Sequence, residues 1–438
     1  MPIEERASVK KMHLVIKGYI IMKMIEIIAN LTKSRIFSPK FKDRVRKNPT
    51  DFTRKRIMGF EELILYMLLS FKSSTAASLR RFFIGMSMNL FMTQQSLSEA
   101  RTKVHVSAFV ELFELTVEAM TEECTNTWHN YRIYAVDGTK IQLPADEKLA
   151  QYFGALGKEK TAPTAQGSIL LDVTNDIICD AAIEPMSTDE RTIAKSHIQA
   201  CKRIAPNDKK LIIFDRGYPS FELVEMLENE GLHYVMRVKS KFNNDIDAQT
   251  KPDGYVWLKQ HGKRIHVRVI KFMLDSGDEE ILITNIADKR LGKNAFKKLY
   301  FMRWPIEIKY DIVKNKLQLE NFNTRTVEGI KQDFFASMYL ANVAAAAQMD
   351  VQEDIEDIRD EKDNKYRYKA NLNELIGILK DRFVYALAHD SPDVQASMID
   401  LIIHEIKRHV VAVKPGRSVP RNPSPRKAKF HHNQKSNC

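Results

Sequence analysis

Long apolar runs are missing from this 438-residue chain. The nearest candidate, Tyr19 to Ile28, is interrupted by Lys23 and Glu26, whereas a helix that spans a bilayer needs ~20 mostly apolar residues. The N-terminus is acidic where a secretory signal has a basic region, and no apolar segment follows it directly. These absences predict a soluble, cytoplasmic protein with no membrane partner.

Cysteine is also scarce, with four residues far apart in the chain: Cys124, Cys179, Cys201 and Cys438. None forms a CxxC pair or a Cys/His spacing typical of a zinc site, and the pattern gives no disulfide framework. A reducing compartment is the simplest interpretation.

Positive charge is what the chain has in excess. Its 68 Lys+Arg against 56 Asp+Glu give a net charge of +12 and a pI near 9.2. For a protein of this size that balance favours a polyanionic partner, with nucleic acid ahead of an anionic membrane surface. The length itself predicts two or three domains.

The N-terminal part has the apolar period of helices. Met12–Leu31 and a basic, proline-punctuated connector, Lys40–Arg56, precede four predicted helices: Phe60–Phe71, Thr75–Phe83, Ser96–Val106 and Ser107–Glu122. The third of these turns Leu97, Ala100 and Val104 inward. It leaves five polar side chains for contact, as a recognition helix would, although a small helical bundle has the same pattern: Gln94, Gln95, Ser98, Arg101 and Lys103.

Strands begin near Tyr131. The segments Tyr131–Leu143, Ser168–Val173 and Ile177–Ile183 are strand-like, the last two forming a hairpin. Helices at Asp189–Ile204 and Phe221–Glu230 then alternate with strands at Lys210–Asp215 and His233–Val238, which predicts a mixed α/β sheet. Residues 241–288 interrupt this alternation as a β-rich insertion.

The C-terminal part is predicted to be helical. An apolar helix at Phe334–Gln348 precedes an acidic stretch, Asp350–Asp357, interpreted as a solvated linker. Helices follow at Asn371–Ala388 and Val394–His409. The tail from Lys414 carries only basic charges and almost no apolar residues, which predicts a segment that orders only on an anionic partner.

Between these regions lies Tyr300–Lys314. An advance of ~100° per residue puts Arg303, Glu307 and Lys314 at about 300°, 340° and 320° from Tyr300. One helix face therefore presents a carboxylate flanked by cations and a phenol, which suits a phosphate-bound metal. A surface helix with an ordinary Arg303/Glu307 pair is the plainer interpretation. Pro305 predicts that the helix bends or restarts there.

Glu307 can be weighed with two aspartates that end or interrupt strands. Asp137 is followed by Gly138-Thr139, and Asp215 by Arg216-Gly217. Taken singly, each acid fits a turn or a strand end. Together they offer three hard oxygen ligands of the kind that Mg²⁺ or Mn²⁺ prefers, enough for two ions and in-line attack at phosphorus.

These residues resemble a known family. Four features are similar to those of the DDE transposases of bacterial insertion sequences. They are Val-Asp137-Gly-Thr, Phe-Asp215-Arg-Gly-Tyr, the strand ending Leu-Ile-Thr284-Asn285 and the spacing Tyr300-(2)-Arg303-(3)-Glu307-(6)-Lys314. They resemble the branch with the tyrosine-arginine-glutamate-lysine signature, the insertion sequence four type. The resemblance runs from about Phe52 into the basic tail, and Pro305 is a departure from the pattern.

The resemblance implies a ribonuclease H-like catalytic core with a mixed sheet and a β-rich insertion between the second and third acids. Asp137, Asp215 and Glu307 would bind two Mg²⁺ or Mn²⁺ ions. Tyr300, Arg303 and Lys314, with Arg216 beside the second acid, would contact DNA. The implied assembly is a homodimer or higher oligomer on paired element ends.

The predicted organisation has five parts. These are an N-terminal helix and basic linker (1–50), a helical DNA-binding domain (51–128), a catalytic domain (129–349, with the insertion at 241–288), a helical C-terminal region (350–413) and a basic tail (414–438). The predicted function is a nucleoid-associated transposase that binds terminal inverted repeats, cleaves double-stranded DNA at the element ends and joins them to target DNA. Two alternatives remain open: a metal-dependent nuclease without strand joining, and a helix-turn-helix regulator.

Overall fold

The computed structural model describes residues 22–54, 56–69, 72–157, 162–274, 277–360 and 366–414. The start of the predicted first helix and the basic tail beyond Lys414 lie outside these ranges. No helix in the described ranges combines the length and the apolar character that crossing a membrane requires.

In the described residues, which begin at Met22, six helices come first: α1 (Met24–Ile36), α2 (Pro39–Val45), α3 (Phe60–Leu68), α4 (Thr75–Gly85), α5 (Gln94–Arg101) and α6 (Ser107–Glu123). The basic connector is not irregular throughout, because α2 forms inside it. Pro39 occupies the first turn of α2, where its missing N–H costs nothing. Helix α5 begins two residues before the predicted position, and the Thr93 hydroxyl caps it by accepting from Ser96 N at 3.1 Å.

The sheet region contains, in chain order, β1 (Tyr131–Gln142), α7 (Glu147–Phe153), β2 (Ala155–Leu156), β3 (Ala162–Asp172), β4 (Ile177–Pro185), α8 (Glu190–Arg203), β5 (Lys209–Phe214), α9 (Phe221–Asn229) and β6 (His233–Val238). β3 is antiparallel to both β1 and β4, as the predicted hairpin requires. β5 lies parallel to β1, and β6 lies parallel to β5. The predicted mixed sheet is confirmed.

The predicted insertion contains α10 (Asn244–Asp247), β7 (Asp253–Gln260), β8 (Lys263–Met273) and β9 (Glu279–Thr284). Its strands continue the main sheet, since β9 pairs with β6 and the order runs β2-β3-β1-β5-β6-β9-β8-β7, with β4 on β3. The insertion is therefore an extension of the sheet that holds the first two acids.

The chain next forms α11 (Lys293–Phe301) and α12 (Pro305–Asp311), followed by a π-helical turn at Ile312–Lys316. The segment through Tyr300 and Lys314 thus forms two helices, as the predicted bend or restart at Pro305 requires. It restarts at Pro305, which occupies the first turn of α12.

The remaining elements are α13 (Val327–Asp360), β10 (Arg367–Ala370), α14 (Leu372–Ala388), α15 (Pro392–Arg408) and β11 (Val410–Val413). The interpretation of Asp350–Asp357 as a linker is wrong, because α13 continues through it with Val351 and Ile355 buried. The Asp350 carboxylate accepts from the first amides of α1, Met24 N and Ile25 N, both at 2.8 Å. β10 and β11 form a small antiparallel sheet that was not predicted.

One buried apolar cluster runs from the N-terminal helices through α13 into the sheet. α6 packs against both α13 and β4. The helical region and the α/β region therefore share a hydrophobic core.

Candidate active site

The first two acids meet because their strands are parallel neighbours. Val136 of β1 is in register with Phe214, the last residue of β5. Asp137 and Asp215 are the next residues on the two strands, so they lie side by side at one end of the sheet. Both are only partly buried, as polar groups at such an edge are expected to be.

Arg303 joins the third acid to the first. Its guanidinium donates to Glu307 Oε1 at 2.8 Å, and its Nη1 lies 3.7 Å from Asp137 Oδ2. The residue is buried, with 6% of its surface exposed, and its Nε has no hydrogen-bond partner in the described structure. A buried cation therefore stands between the two carboxylates.

Neutral donors hold the two aspartates. The Tyr300 hydroxyl donates to Asp215 Oδ1 at 3.0 Å, and Arg216 N donates to the same oxygen at 2.7 Å. Gly138 N donates to Asp137 Oδ1 at 2.9 Å. These bonds orient the carboxylates before any ligand binds.

The acids influence one another electrostatically. Burial raises the pKa of Asp137 to about 6; Arg303 and the Gly138 amide act against this, while the charges of Asp215 and Glu307 add to it. Burial likewise raises the pKa of Tyr300, with Asp215 next in importance, so the phenol remains a neutral donor. A carboxyl with a raised pKa among other acids is typical of a functional site.

The donor chemistry fits a hard divalent cation, since three carboxylates face one small region. In the described part of the chain, however, no three Asp, Glu, His or Cys side chains converge closely enough to hold an ion as they stand. The Arg303 guanidinium supplies the positive charge between the Asp137 and Glu307 carboxylates. An ion bound by Asp137 and Glu307 together would require this guanidinium to move away from one of them.

Comparison with known proteins relates the region that holds this site to transposases. Residues 128–343 match the family described as Transposase DDE domain, a range that contains all three acids. A Sinorhizobium fredii protein named "Putative transposase y4zB" is 23% identical over 264 residues, covering 56% of this chain and 68% of that protein.

The matched domain and the named relative are both described as transposases. Domains of this family generally use divalent metal ions. Among solved structures, the chain is similar to a piggyBac transposase in a cryo-EM synaptic complex with hairpin DNA, at 9% identity and a TM-score of 0.46. That match covers 91% of this chain and 88% of the other.

The residues predicted to contact DNA beside the DDE triad fall into two groups. Tyr300 and Arg303 are buried and directed at the acids. Arg216 is exposed, and Lys314 is half-buried, donating from Nζ to Lys140 O at 2.5 Å. Arg216 offers surface to an approaching phosphate, whereas Lys314 Nζ is held by Lys140 O and lies 3.7 Å from Glu320 Oε1.

On α5, one of the five predicted contact residues is misplaced. Gln94, Gln95 and Ser98 are exposed and Lys103 is half-buried. Arg101 is buried and donates to Asp333 Oδ1 at 2.7 Å and to Gly329 O at 3.1 Å. The prediction that Arg101 lies on a free face is wrong, because four residues after Leu97 it shares the buried side of the helix.

A fourth acid near the triad was not predicted. A Cβ placed on Gly138 would lie 3.2 Å from Glu190 Oε1, and one placed on Gly217 would lie 4.0 Å from Glu190 Oε2. Gln166 Nε2 also donates to Glu190 Oε1 at 3.1 Å. Its signal in the sequence was its place in the first turn of the helix after the β3–β4 hairpin.

Tyr218 was also missed. It is buried, and its hydroxyl has no hydrogen-bond partner in the described ranges. Burial raises the pKa of this phenol well above its usual value, with Asp137, Glu190 and Asp215 contributing in that order. Arg191 donates to Tyr218 O and so holds the loop that follows Asp215.

Proposed function

We propose that this protein is a transposase that cuts the DNA ends of its own insertion sequence and joins them to target DNA. The observation that supports the proposal is that the buried Arg303 lies against both Asp137 and Glu307, while Asp215 lies beside Asp137 on the neighbouring strand. Acids from two parallel strands and a helix meet there, although they are far apart in sequence. The matched transposase domain contains all of them.

The core is proposed to be ribonuclease H-like. Three antiparallel strands, β4-β3-β1, continued by the parallel pair β5-β6, support this assignment. The chain is further assigned to the branch with the tyrosine-arginine-glutamate-lysine signature. The contacts of Tyr300 with the second acid and of Arg303 with the first and third support that assignment.

Asp137, Asp215 and Glu307 would hold two Mg²⁺ or Mn²⁺ ions. When bound, such ions activate the attacking oxygen and stabilise the leaving oxygen of an in-line displacement at phosphorus. Tyr300 fixes the orientation of Asp215 through its hydroxyl. Arg303 and Lys314 would offset negative charge on the phosphate.

The DNA partners are the terminal inverted repeats and the target duplex. The helical region of residues 51–128, through Gln94, Gln95, Ser98 and Lys103 of α5 and its flank, is proposed to bind the repeats. Two or more copies would act on paired ends. The net charge of +12 supports a polyanionic partner such as duplex DNA.

The test uses purified full-length protein and a duplex that carries the repeats flanking its coding region. Asp137→Ala, Asp215→Ala and Glu307→Ala should each reduce strand cleavage in Mg²⁺ or Mn²⁺ on the order of 10⁴-fold, because members of one catalytic unit fail nearly as completely singly as together. Binding to the ends, measured by gel shift in EDTA, should stay within a few-fold.

Asp400→Ala is the matched control, since Asp400 has an exposed side chain that pairs with Lys23 at the surface. Strand joining is scored separately from cleavage. Cleavage without joining would identify a nuclease, and DNA binding indifferent to all three acids with no cleavage in the wild type would identify a regulator. Nicking by Asp215→Ala at the wild-type rate would refute the triad.

A further inference from the structure

The backbone carbonyl of Asp137 accepts two side-chain hydrogen bonds. The Tyr310 hydroxyl donates to it at 2.7 Å, and the Ser168 hydroxyl donates to it at 3.0 Å. Tyr310 lies on α12 and Ser168 lies on β3. Side chains from a helix and from a neighbouring strand are thus both hydrogen-bonded to the backbone carbonyl of the first acid.

Tyr310 follows Glu307 by three residues, one turn along the same helix. Its hydroxyl therefore fastens the helix of the third acid to the strand of the first. A second bond of this kind lies a turn further on, where Lys314 Nζ donates to Lys140 O at 2.5 Å. One bond from α12 and one from the π-helical turn that follows it hold this segment in place along β1, and with it the distance between the two carboxylates.

Ser168 has its own support behind it. His197 Nε2 lies 2.9 Å from Ser168 Oγ, and His197 Nδ1 lies 2.9 Å from Asp180 Oδ2. Ser168 is 3% exposed and His197 is fully buried. The order Asp180-His197-Ser168 is that of a hydrolase triad, but this serine is buried in β3 and its hydrogen is committed to a carbonyl. The network holds the strand and offers no nucleophile.

We propose that Tyr310 and Ser168 are positioning residues for phosphoryl transfer, which set the separation of the Asp137 and Glu307 carboxylates by holding the Asp137 carbonyl. The role rests on the proposed function, and neither residue touches the reacting atoms. Catalytic constellations tolerate ~0.5 Å of error. A displacement of ~1 Å costs up to about 10²-fold in rate.

Tyr310→Phe removes only the hydroxyl. The control is Tyr339→Phe, because Tyr339 is also buried and its hydroxyl makes one hydrogen bond, to Thr32 Oγ1 at 2.8 Å in the helical part of the core. Thermal unfolding should show a small and similar loss of stability in the two variants. Cleavage should fall about 10- to 100-fold in Tyr310→Phe and stay within two-fold in Tyr339→Phe.

A second readout is independent of DNA. Mg²⁺ is titrated into the full-length protein by calorimetry, and its affinity should be weaker by several-fold in Tyr310→Phe and unchanged in Tyr339→Phe. Ser168→Ala should act in the same direction. The double variant should lose less than the sum of the two single variants, because both hydroxyls hold one carbonyl.

The outcomes separate this proposal from the function. If Tyr310→Phe equals Tyr339→Phe in both Mg²⁺ affinity and cleavage, the positioning role is overturned, while the triad variants still test the transposase. If the wild type cleaves no DNA but its Mg²⁺ affinity still falls in Tyr310→Phe, the role in setting the acids survives and the proposed function fails.

Discussion

Two buried arginines differ in their surroundings: Arg132 lies on the strand β1, and Arg303 lies against that strand at Asp137. Arg132 bonds to Asp172 at 2.5 Å and to Asp208 at 3.1 Å, and neither Arg132 nor Asp172 has an exposed side chain. Arg303 is nearly as buried, but the side chains of its partners Asp137 and Glu307 are 25% and 34% exposed. The pair of an arginine and an aspartate is therefore buried from solvent near the start of β1 and partly exposed at the middle of the strand.

The difference shows which pair stabilises the fold. The second oxygen of Asp172 accepts from Thr174 N, Thr174 Oγ1 and Asn175 N, so no capacity is left for a ligand. Asp137 accepts on one oxygen from a backbone amide and faces Arg303 across 3.7 Å with the other. A carboxylate that is half-satisfied and reachable by solvent can accept a new cation.

The largest expected effect on stability comes from disrupting the buried cluster of Arg132, Asp172 and Asp208. Asp172→Ala leaves the Arg132 charge buried without its main partner, so the free energy of unfolding should fall by about 3–5 kcal/mol. Asp137→Ala should cost far less stability while it removes cleavage. Urea denaturation of both variants measures the contrast. Equal losses of stability would show that the cluster at Asp137 is structural too.

The two clusters also show what the sequence could predict. The strands around Asp137 and Asp215, and the three acids themselves, were predicted because a strand period and short motifs are local signals. The bonds that orient them were not. Tyr310 reaches a carbonyl 173 positions away, and no spacing within α12 reveals which atom a phenol will meet.

Two predictions about exposure were wrong for a related reason. The acidic stretch after Gln348 looked solvated because its charges are dense, yet Val351 and Ile355 keep the helical period and α13 continues through them. Arg101 was assigned to the surface by residue type, whereas its partner Asp333 lies in another helix. Charge alone does not predict exposure when a distant acid can pair with it.

A smaller effect on stability, of opposite sign, is expected at the partly exposed cluster of Arg303, Asp137 and Glu307. Folding raises the pKa of Asp137 from 3.8 to about 6, so ionisation costs stability above pH 6 by at most about 3 kcal/mol. The cost shrinks as the pH falls and is gone at about pH 3, where the carboxyl is protonated in both states. Asp137→Asn in EDTA should therefore be more stable than wild type at pH 8 and equal to it at about pH 3.

Unfolding curves across this pH range, with Asp172→Asn as the matched variant, test the sign. Asp172→Asn should be less stable than wild type at pH 8, because it weakens a fully buried ion pair. A loss of stability at pH 8 in Asp137→Asn as well would mean that Arg303 depends on Asp137 as Arg132 depends on Asp172.

The smallest change in stability is expected on α5, which carries both kinds of environment on its two sides. Ser98 is exposed, so Ser98→Ala should change the free energy of unfolding by no more than about 0.5 kcal/mol. If this face reads the element ends, the same variant relaxes the preference for end over random duplex by about 1–3 kcal/mol.

Arg101→Ala should do the reverse, lowering stability through Asp333 and leaving the ratio of end to random affinity unchanged in the folded fraction. Competition gel shifts at fixed salt, paired with urea curves, separate the two. A selective loss of end binding in Arg101→Ala, with stability intact, would mean that this arginine leaves Asp333 to contact DNA.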